Sequence, residues 1–129
     1  MDQLGIVDTS VVISFLRGVD PGAEHFRTLL SKDRVVFSSI SVFELRLGES
    51  PTQETDLDTL FEVVRVVSLN AEIASQAADV YHRLEKSGKR IGLRDTFIGA
   101  TAIVEGLPVY TQNSDHFDRI ENLKVFPVS

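Results

Sequence analysis

Residues 4–18 read LGIVDTSVVISFLRG, and this stretch decides the fold class. The short apolar run from Leu4 to Val7 ends at Asp8, which is typical of a buried strand. The residues from Val11 to Arg17 then place apolar side chains at helical spacing, and Gly18 follows as a helix stop. A buried strand followed at once by a helix is the first half of a βα unit.

The rest of the chain repeats this alternation. Short apolar runs predict strands near 35–37, 63–69, 109–111 and 125–126, and helices are predicted between them near 21–30, 42–47, 57–61, 70–86 and 95–105. Strands that are apolar at successive positions are typical of a parallel sheet covered on both faces. No repeat, low-complexity tract or linker interrupts the pattern. We therefore predict one α/β domain.

The composition excludes several classes of protein. The chain has 129 residues, of which 43% are hydrophobic and 25% charged, as in an ordinary globular domain. The absence of cysteine excludes disulfides, thiolate zinc sites and cysteine nucleophiles, and three widely spaced histidines disfavour a histidine-rich metal site. A net charge of −6 argues against nucleic-acid binding by charge alone, but not against an enzyme that meets phosphates through metal ions.

The sequence also bears on location. No apolar run approaches the roughly 18 residues of a membrane helix, so we expect no membrane association. The start Met1-Asp2-Gln3 lacks the basic segment and apolar core of a signal peptide. We therefore expect a cytoplasmic protein.

Acidic residues from distant parts of the chain are predicted at one edge of the sheet. They follow predicted strands or lie early in predicted helices: Asp8, Glu44, Asp95 and Asp115, with Asn113 near the last. In open parallel sheets, ligands bind outside the carboxyl ends of the strands, so these side chains are expected to converge. Uncompensated carboxylates repel one another unless a cation joins them, and a site with oxygen ligands alone favours Mg²⁺ or Mn²⁺. Such ions serve phosphoryl chemistry.

Each acid also has a structural interpretation. Asp8 could simply cap the helix after its strand. Ser41-Val42-Phe43-Glu44 is a possible capping box, with Glu44 at the third helical position. Asp95 lies where the helix dipole favours an acid, and Asp115 lies in a polar turn where aspartate is common. The sequence alone leaves these alternatives open.

Four motifs occur in order along nearly the whole chain. They are IVDTSVVISFLRG at 6–18, SSISVFELRLG at 38–48, IGLRDTFIGATAIVEGLPVYTQN at 91–113 and NSDHF at 113–117. Together they resemble the PIN-domain family and, within it, the VapC-type toxins of bacterial and archaeal toxin–antitoxin pairs. The resemblance implies a three-layer α/β/α sandwich around a central, mainly parallel sheet of four to five strands. It also implies that residues 1–129 form a single PIN-like nuclease domain that uses Mg²⁺ or Mn²⁺ to cleave RNA.

The resemblance assigns roles to individual residues. It implies that Asp8, Glu44 and Asp95 are catalytic acids that bind the metal. The hydroxyls of Ser10 and Thr111 match family positions that support the site from outside the metal-binding set. Metal-assisted hydrolysis of a phosphodiester is then the expected reaction. Attack by the ribose 2′-hydroxyl is the competing route, but the sequence places no pair of histidines to run it.

The chain departs from the family at the fourth acid. Many relatives have aspartate at the position of Asn113, and the later acid of the family's Asn-x-x-acid-Phe motif is His116 here. Asp115 lies between them and is predicted to substitute as a catalytic acid and metal ligand. Asn113 is a weaker candidate ligand through its carbonyl oxygen or a water molecule. The number of metal ions and the residue that fills this position stay open.

Contact with RNA requires cations. Five of the 13 lysine and arginine residues fall between positions 83 and 94, immediately before Asp95. We predict Lys89, Arg90 and Arg94 as RNA-binding residues. The alternative is a solvated helix end with a basic last turn.

A VapC-type toxin implies a cognate antitoxin protein, whose basic segment would cover the acidic edge. Family members are commonly homodimers. Phe43, Leu45 and Leu47 offer more apolar positions than one core obviously needs, which favours a further interface. The sequence does not identify the pairing face, the antitoxin family, the RNA or the cleavage sequence.

Two other functions fit a small α/β domain with acids at one edge. A receiver-like Mg²⁺-binding signalling module needs paired acids after the first strand and a lysine after a later one. Here Asp8 stands alone, and Thr111-Gln112-Asn113 contains no lysine. A PIN domain kept as a non-catalytic scaffold is disfavoured by the presence of Asp8, Glu44 and Asp95.

Overall fold

Five short strands form one parallel sheet at the centre of the molecule. The computed structural model describes residues 3–50 and 52–128. The strands are β1 (Gly5–Val7), β2 (Val35–Ser38), β3 (Arg65–Val67), β4 (Val109–Thr111) and β5 (Val125–Pro127). They lie in the order β3-β2-β1-β4-β5, and every neighbouring pair is parallel. The predicted parallel sheet of four to five strands is confirmed.

Helices cover both faces of this sheet. They are α1 (Thr9–Arg17), α2 (Gly22–Ser31), α3 (Ser39–Gly48), α4 (Glu54–Val63), α5 (Ala71–Lys86), α6 (Leu93–Glu105) and α7 (Ser114–Phe117). On one face, Val7, Phe37 and Tyr110 share a core with apolar residues of α1 to α4. On the other face, Ile6 and Val36 pack with α5 and α6. Successive strand residues thus enter opposite cores, which gives the predicted three-layer α/β/α sandwich. Within the described ranges, no helix is long and apolar enough to cross a membrane.

Helix α3 begins earlier than the sequence predicted. The expected start near Val42, with Ser41 as its cap, is wrong because the helix begins at Ser39. Ser38 occupies the N-cap position, and its side chain accepts a hydrogen bond from the Ile40 amide at 3.1 Å. A serine at this position satisfies an amide of the first turn that has no partner within the helix. The cap therefore lies three residues before the predicted one.

Other differences concern the ends of elements. Helix α1 begins at Thr9, directly after Asp8, rather than at Val11. The helix predicted over 57–61 extends over Glu54–Val63, which shortens the following strand. The polar turn predicted after β4 contains the short helix Ser114–Phe117.

The sheet reverses its winding direction between β1 and β4. From β1 the chain winds outward to β2 and β3, and then returns to place β4 on the other side of β1. Ligands of open parallel sheets bind outside the carboxyl ends of the strands at such a switch point. Asp8 follows the end of β1, and Thr111 ends β4. The topology therefore puts the first predicted acid at the expected binding position.

Candidate functional site

Asp8 is buried at the switch point. Its backbone N–H donates to the Tyr110 carbonyl oxygen at 2.9 Å, which continues the pairing of β1 with β4. Its carboxylate oxygen Oδ2 accepts hydrogen bonds from Ser10 Oγ at 2.9 Å and from Thr111 Oγ1 at 2.8 Å. The residue is only 2% exposed. Although Asp8 holds the N-cap position of α1, its side chain makes no cap hydrogen bond, so capping does not account for the carboxylate.

Burial changes the chemistry of the Asp8 carboxyl group. Loss of hydration raises its pKa from the ordinary 3.8 to about 6, and the charge of Asp95 acts in the same direction. Hydrogen bonds from Thr111, Ser10 and the Thr9 backbone oppose this rise because they stabilise the ionised form. No lysine, arginine or histidine forms an ion pair with Asp8 within residues 3–50 and 52–128. The ionised carboxylate is therefore a buried charge that a bound cation would stabilise.

Glu44, the sixth residue of α3, is connected to the Asp8 segment through Thr9. The Thr9 hydroxyl donates to Glu44 Oε1 at 2.9 Å and lies 3.2 Å from Ser41 Oγ. The other carboxylate oxygen, Oε2, accepts a hydrogen bond from Arg94 Nη1 at 3.4 Å. The capping-box interpretation of Glu44 is wrong, because α3 begins further upstream and the carboxylate bonds to α1 and α6 instead.

Asp95 lies in the first turn of α6, and its partner is a histidine. Asp95 Oδ2 and His116 Nδ1 are 2.8 Å apart. The Asp95 side chain is 19% exposed and that of His116 is 45% exposed, so the pair lies at the surface of the acidic edge. Sequence reasoning treated His116 only as a departure from the family motif. The sequence nevertheless contained an indication of this contact, because the motif at residues 113–117 places His116 at the same edge as the acids.

Within the described chain, the side chains of Asn113 and Asp115 are not hydrogen-bonded to the acids. Both side chains are exposed. The Asn113 backbone N–H donates to Thr111 Oγ1 at 2.8 Å, which ties the start of α7 to the Asp8 hydrogen-bond network. Among the hydrogen bonds of the described chain, neither side chain contacts the carboxylates of Asp8, Glu44 or Asp95. His116, rather than Asp115, is the α7 residue that contacts Asp95.

The donor chemistry of the three acids suits a hard cation. Asp8, Glu44 and Asp95 offer carboxylate oxygens, which Mg²⁺ and Mn²⁺ prefer. As the side chains stand, no three acids or histidines in the described part of the chain are placed to hold one ion. Two of the three acids are paired with basic side chains, Glu44 with Arg94 and Asp95 with His116. The residue types therefore fit a site for a hard cation.

The predicted RNA-binding residues lie just before α6 and in its first turn. Lys89 and Arg90 are exposed in the segment between α5 and α6, and Arg119 Nη1 donates to the Arg90 carbonyl oxygen at 3.0 Å. Arg94 differs from both because it contacts an acid of the group, and its side chain is 62% exposed. In this basic segment, residues 89–94, the three cations are exposed while Ile91 is buried, and the segment meets the acidic edge at Arg94.

Helix α3 also presents apolar side chains to solvent. Phe43 and Leu47 are 54% and 64% exposed. Leu45 lies between them in the sequence but is buried in the core. The predicted surplus of apolar positions on this helix is thus limited to Phe43 and Leu47.

Comparison with known proteins gives consistent matches over most of the chain. The model of the PIN domain family matches residues 5–123. Ribonuclease VapC10 of Mycobacterium tuberculosis is 34% identical over 119 residues, which cover 92% of this chain and 90% of the relative. The structure of VapBC-1 from nontypeable Haemophilus influenzae is 28% identical with a TM-score of 0.78, covering 95% of this chain and 96% of that one. VapBC-5 from Mycobacterium tuberculosis, a member of the VapBC family of toxin-antitoxin systems, is 25% identical with a TM-score of 0.69 and 96% coverage of both chains.

Proposed function

The chain belongs to the PIN domain family, and from this membership we propose that it is an endoribonuclease that hydrolyses RNA phosphodiester bonds with Mg²⁺ or Mn²⁺. The observation that carries the proposal is the Asp8 carboxylate, which is buried at the switch point of the sheet without a basic partner among the described residues. Asp8 and Asp95 come from opposite halves of the chain, and burial together with their mutual repulsion raises the Asp8 pKa. Without a cation, such an arrangement lowers the stability of the folded protein. With a bound cation, it provides a site for metal-assisted hydrolysis.

Each residue of the edge has a proposed role. Asp8, Glu44 and Asp95 would hold the metal ion. When bound, such an ion supplies positive charge that polarises the phosphodiester and activates water for attack. Ser10 and Thr111 keep the Asp8 carboxylate oriented, because both hydroxyls donate to the same oxygen.

The fourth ligand position of the edge is proposed to be filled from the segment that follows β4. Asp115 and Asn113 remain candidate ligands, since their exposed side chains neighbour His116 on α7. Lys89, Arg90 and Arg94 are proposed to bind the RNA backbone, because exposed cations beside an acidic edge compensate its repulsion of phosphate.

We also propose that the enzyme is the toxin of a toxin–antitoxin pair. The proposal follows from its likeness to members of the VapBC family. The partner would be an antitoxin protein whose basic segment covers the acidic edge. The exposed Phe43 and Leu47 suit a further protein interface, either with the antitoxin or in a homodimer. We propose that residues 1–129 act as one nuclease domain in the cytoplasm, where RNA is available.

A cleavage assay tests the enzymatic proposal. Purified protein is incubated with cellular RNA in Mg²⁺, in Mn²⁺ and in EDTA, and the new RNA ends are mapped. We expect cleavage with either ion, none in EDTA, and none by Asp8→Asn or Asp95→Asn. Asp79→Asn is the matched control, because this acid is exposed on α5, and it should cleave like the wild type. Cleavage in excess EDTA, or by Asp8→Asn, would refute the metal-dependent mechanism.

The alternative functions have less support. Receiver-like sheets have the strand order 2-1-3-4-5, whereas this chain has β3-β2-β1-β4-β5. The non-catalytic scaffold predicts no cleavage with any divalent ion, so the same assay distinguishes it from the enzyme.

A further inference from the structure

Arg94 contacts an acid of the candidate site from the adjoining basic segment. Its Nη1 atom lies 3.4 Å from Glu44 Oε2, and it directly precedes Asp95 in α6. The Arg94 side chain is 62% exposed, whereas that of Glu44 is 17% exposed. The ion pair therefore joins a solvated cation to a carboxylate that is largely withdrawn from water.

The Glu44 carboxylate has two competing uses. In the proposed function it belongs to the acids that hold a divalent ion. In the structure its Oε2 is engaged by Arg94 and its Oε1 by the Thr9 hydroxyl. A guanidinium and a divalent ion beside the same carboxylate repel each other. Occupation of Glu44 by one of these cations therefore weakens its hold on the other.

Arg94 also has two possible partners. Its guanidinium stays charged throughout the working pH range and can bind phosphate through two parallel hydrogen bonds. Its position beside Asp95 puts it at the edge where the proposed substrate must arrive. While it is paired with Glu44, its charge is partly neutralised and attracts RNA less strongly.

We propose that Arg94 couples metal binding to RNA binding: it pairs with Glu44 in the metal-free protein and with an RNA phosphate once Glu44 becomes a metal ligand. This inference rests on the proposed function. The coupling is reciprocal, so the factor by which the metal tightens RNA binding equals the factor by which RNA tightens metal binding. Metal-free protein is consequently expected to bind RNA more weakly than metal-bound protein does.

A double-mutant cycle in EDTA tests the RNA side of this coupling. Glu44→Gln removes the partner charge and releases Arg94 without any metal, and Glu44→Ala serves as a second variant. The dissociation constant of a short fluorescein-labelled single-stranded RNA is measured by anisotropy for wild type, Glu44→Gln, Arg94→Ala and the double variant. We expect Glu44→Gln to tighten RNA binding about two- to fivefold more when Arg94 is present than when it is alanine, as for an exposed ion pair.

The matched control is the same cycle with Lys89→Ala, which removes a cation from the basic segment that does not contact Glu44. The effect of Glu44→Gln on the RNA dissociation constant should be the same whether residue 89 is lysine or alanine. An equal effect of Glu44→Gln with and without Arg94 would overturn the proposal, because it would reflect only the lost negative charge.

Mn²⁺ binding without RNA, measured by calorimetry, tests the metal side. Arg94→Ala should bind Mn²⁺ about two- to fivefold more tightly than wild type, because the competing cation is gone. Weaker binding would mean that Arg94 only orients Glu44, and it would overturn the proposal. If the wild type cleaves RNA but neither test shows coupling, the coupling proposal is overturned and the proposed nuclease function stands. If the wild type neither binds nor cleaves RNA, both the proposed function and the coupling are overturned.

Discussion

Replacement of Asp8 by asparagine should stabilise the metal-free protein at neutral pH, even though it removes a proposed catalytic acid. The Asp8 pKa is raised from 3.8 to about 6, so the folded protein binds this proton more tightly than the unfolded chain does. The stability contributed by the protonated carboxyl group is fully present below pH 3.8 and is lost as the pH rises through about 6. Above this range, the folded wild type contains a buried carboxylate charge.

The size of the pKa change determines how much unfolding free energy the substitution should restore. A rise from 3.8 to about 6 corresponds to a loss of about 3 kcal/mol of unfolding free energy above the folded-state pKa. Asparagine resembles the protonated acid, but its amide accepts the Ser10 and Thr111 hydrogen bonds less well. We therefore expect Asp8→Asn to be more stable than wild type by about 1 to 3 kcal/mol near neutral pH, or roughly 3 to 10 °C in melting temperature.

Urea unfolding in EDTA, from about pH 4.5 to about pH 7.5, measures this difference. The stability advantage of Asp8→Asn over wild type should be small at the acid end, increase through about pH 6, and then level off. Asp79→Asn, on the exposed surface of α5, is the control and should follow the wild type at every pH. A difference between Asp8→Asn and wild type that does not change with pH would refute the reasoning, because burial would then not control the Asp8 carboxyl group.

Three further predictions concern packing, capping and metal binding. A Cβ at Gly5 would lie 2.7 Å from the Tyr110 ring, so Gly5→Ala should lower the unfolding free energy by about 1 to 3 kcal/mol in urea melts. Gly48→Ala, whose Cβ meets nothing within 4 Å, should not lower it. Ser38→Ala should cost about 1 kcal/mol and Ser38→Gly only a few tenths, because glycine is a better N-cap residue than alanine; equal losses would contradict the capping role. Mg²⁺ at a hundredfold excess over its dissociation constant should stabilise the wild type by about 2.7 kcal/mol in thermal melts and Asp8→Asn much less, whereas equal shifts would remove Asp8 from the metal site.

The central strands could be predicted because burial on both faces leaves a clear pattern. β1, β2 and β4 are buried at every position, so each appears as an uninterrupted short run of largely apolar residues. The edge strand β3 was less well defined. The run from Val63 to Leu69 suggested a longer strand, but Val63 is 67% exposed at the end of α4 and only Arg65–Val67 pair with β2. At an edge, a β-branched run does not reveal where a helix ends.

The position of Asp8 in the site was predictable, but most side-chain partners were not. Asp8 follows a buried strand, and the rule for parallel sheets then indicates its edge. By contrast, Glu44 pairs with Thr9 across 35 positions and Asp95 with His116 across 21. Such pairs depend on how each helix is rotated about its axis, which apolar spacing defines only to within a broad face. The sequence also fits a capping motif that begins at Ser41. The structure excludes that motif because α3 begins at Ser39.

The pairing of β1 with β4 has a consequence for synthesis of the protein. Asp8 is synthesised 103 residues before Thr111, whose hydroxyl orients the Asp8 carboxylate. During translation, at about 5 to 20 residues per second, β1 can pair with β2 long before β4 has left the ribosome. A chain interrupted between α6 and β4 therefore contains Asp8, Glu44 and Asp95 but lacks the switch point between β1 and β4. Under the proposed function, we expect such a fragment not to cut RNA, because the Asp8 carboxylate lacks the Thr111 hydrogen bond until β4 has joined the sheet.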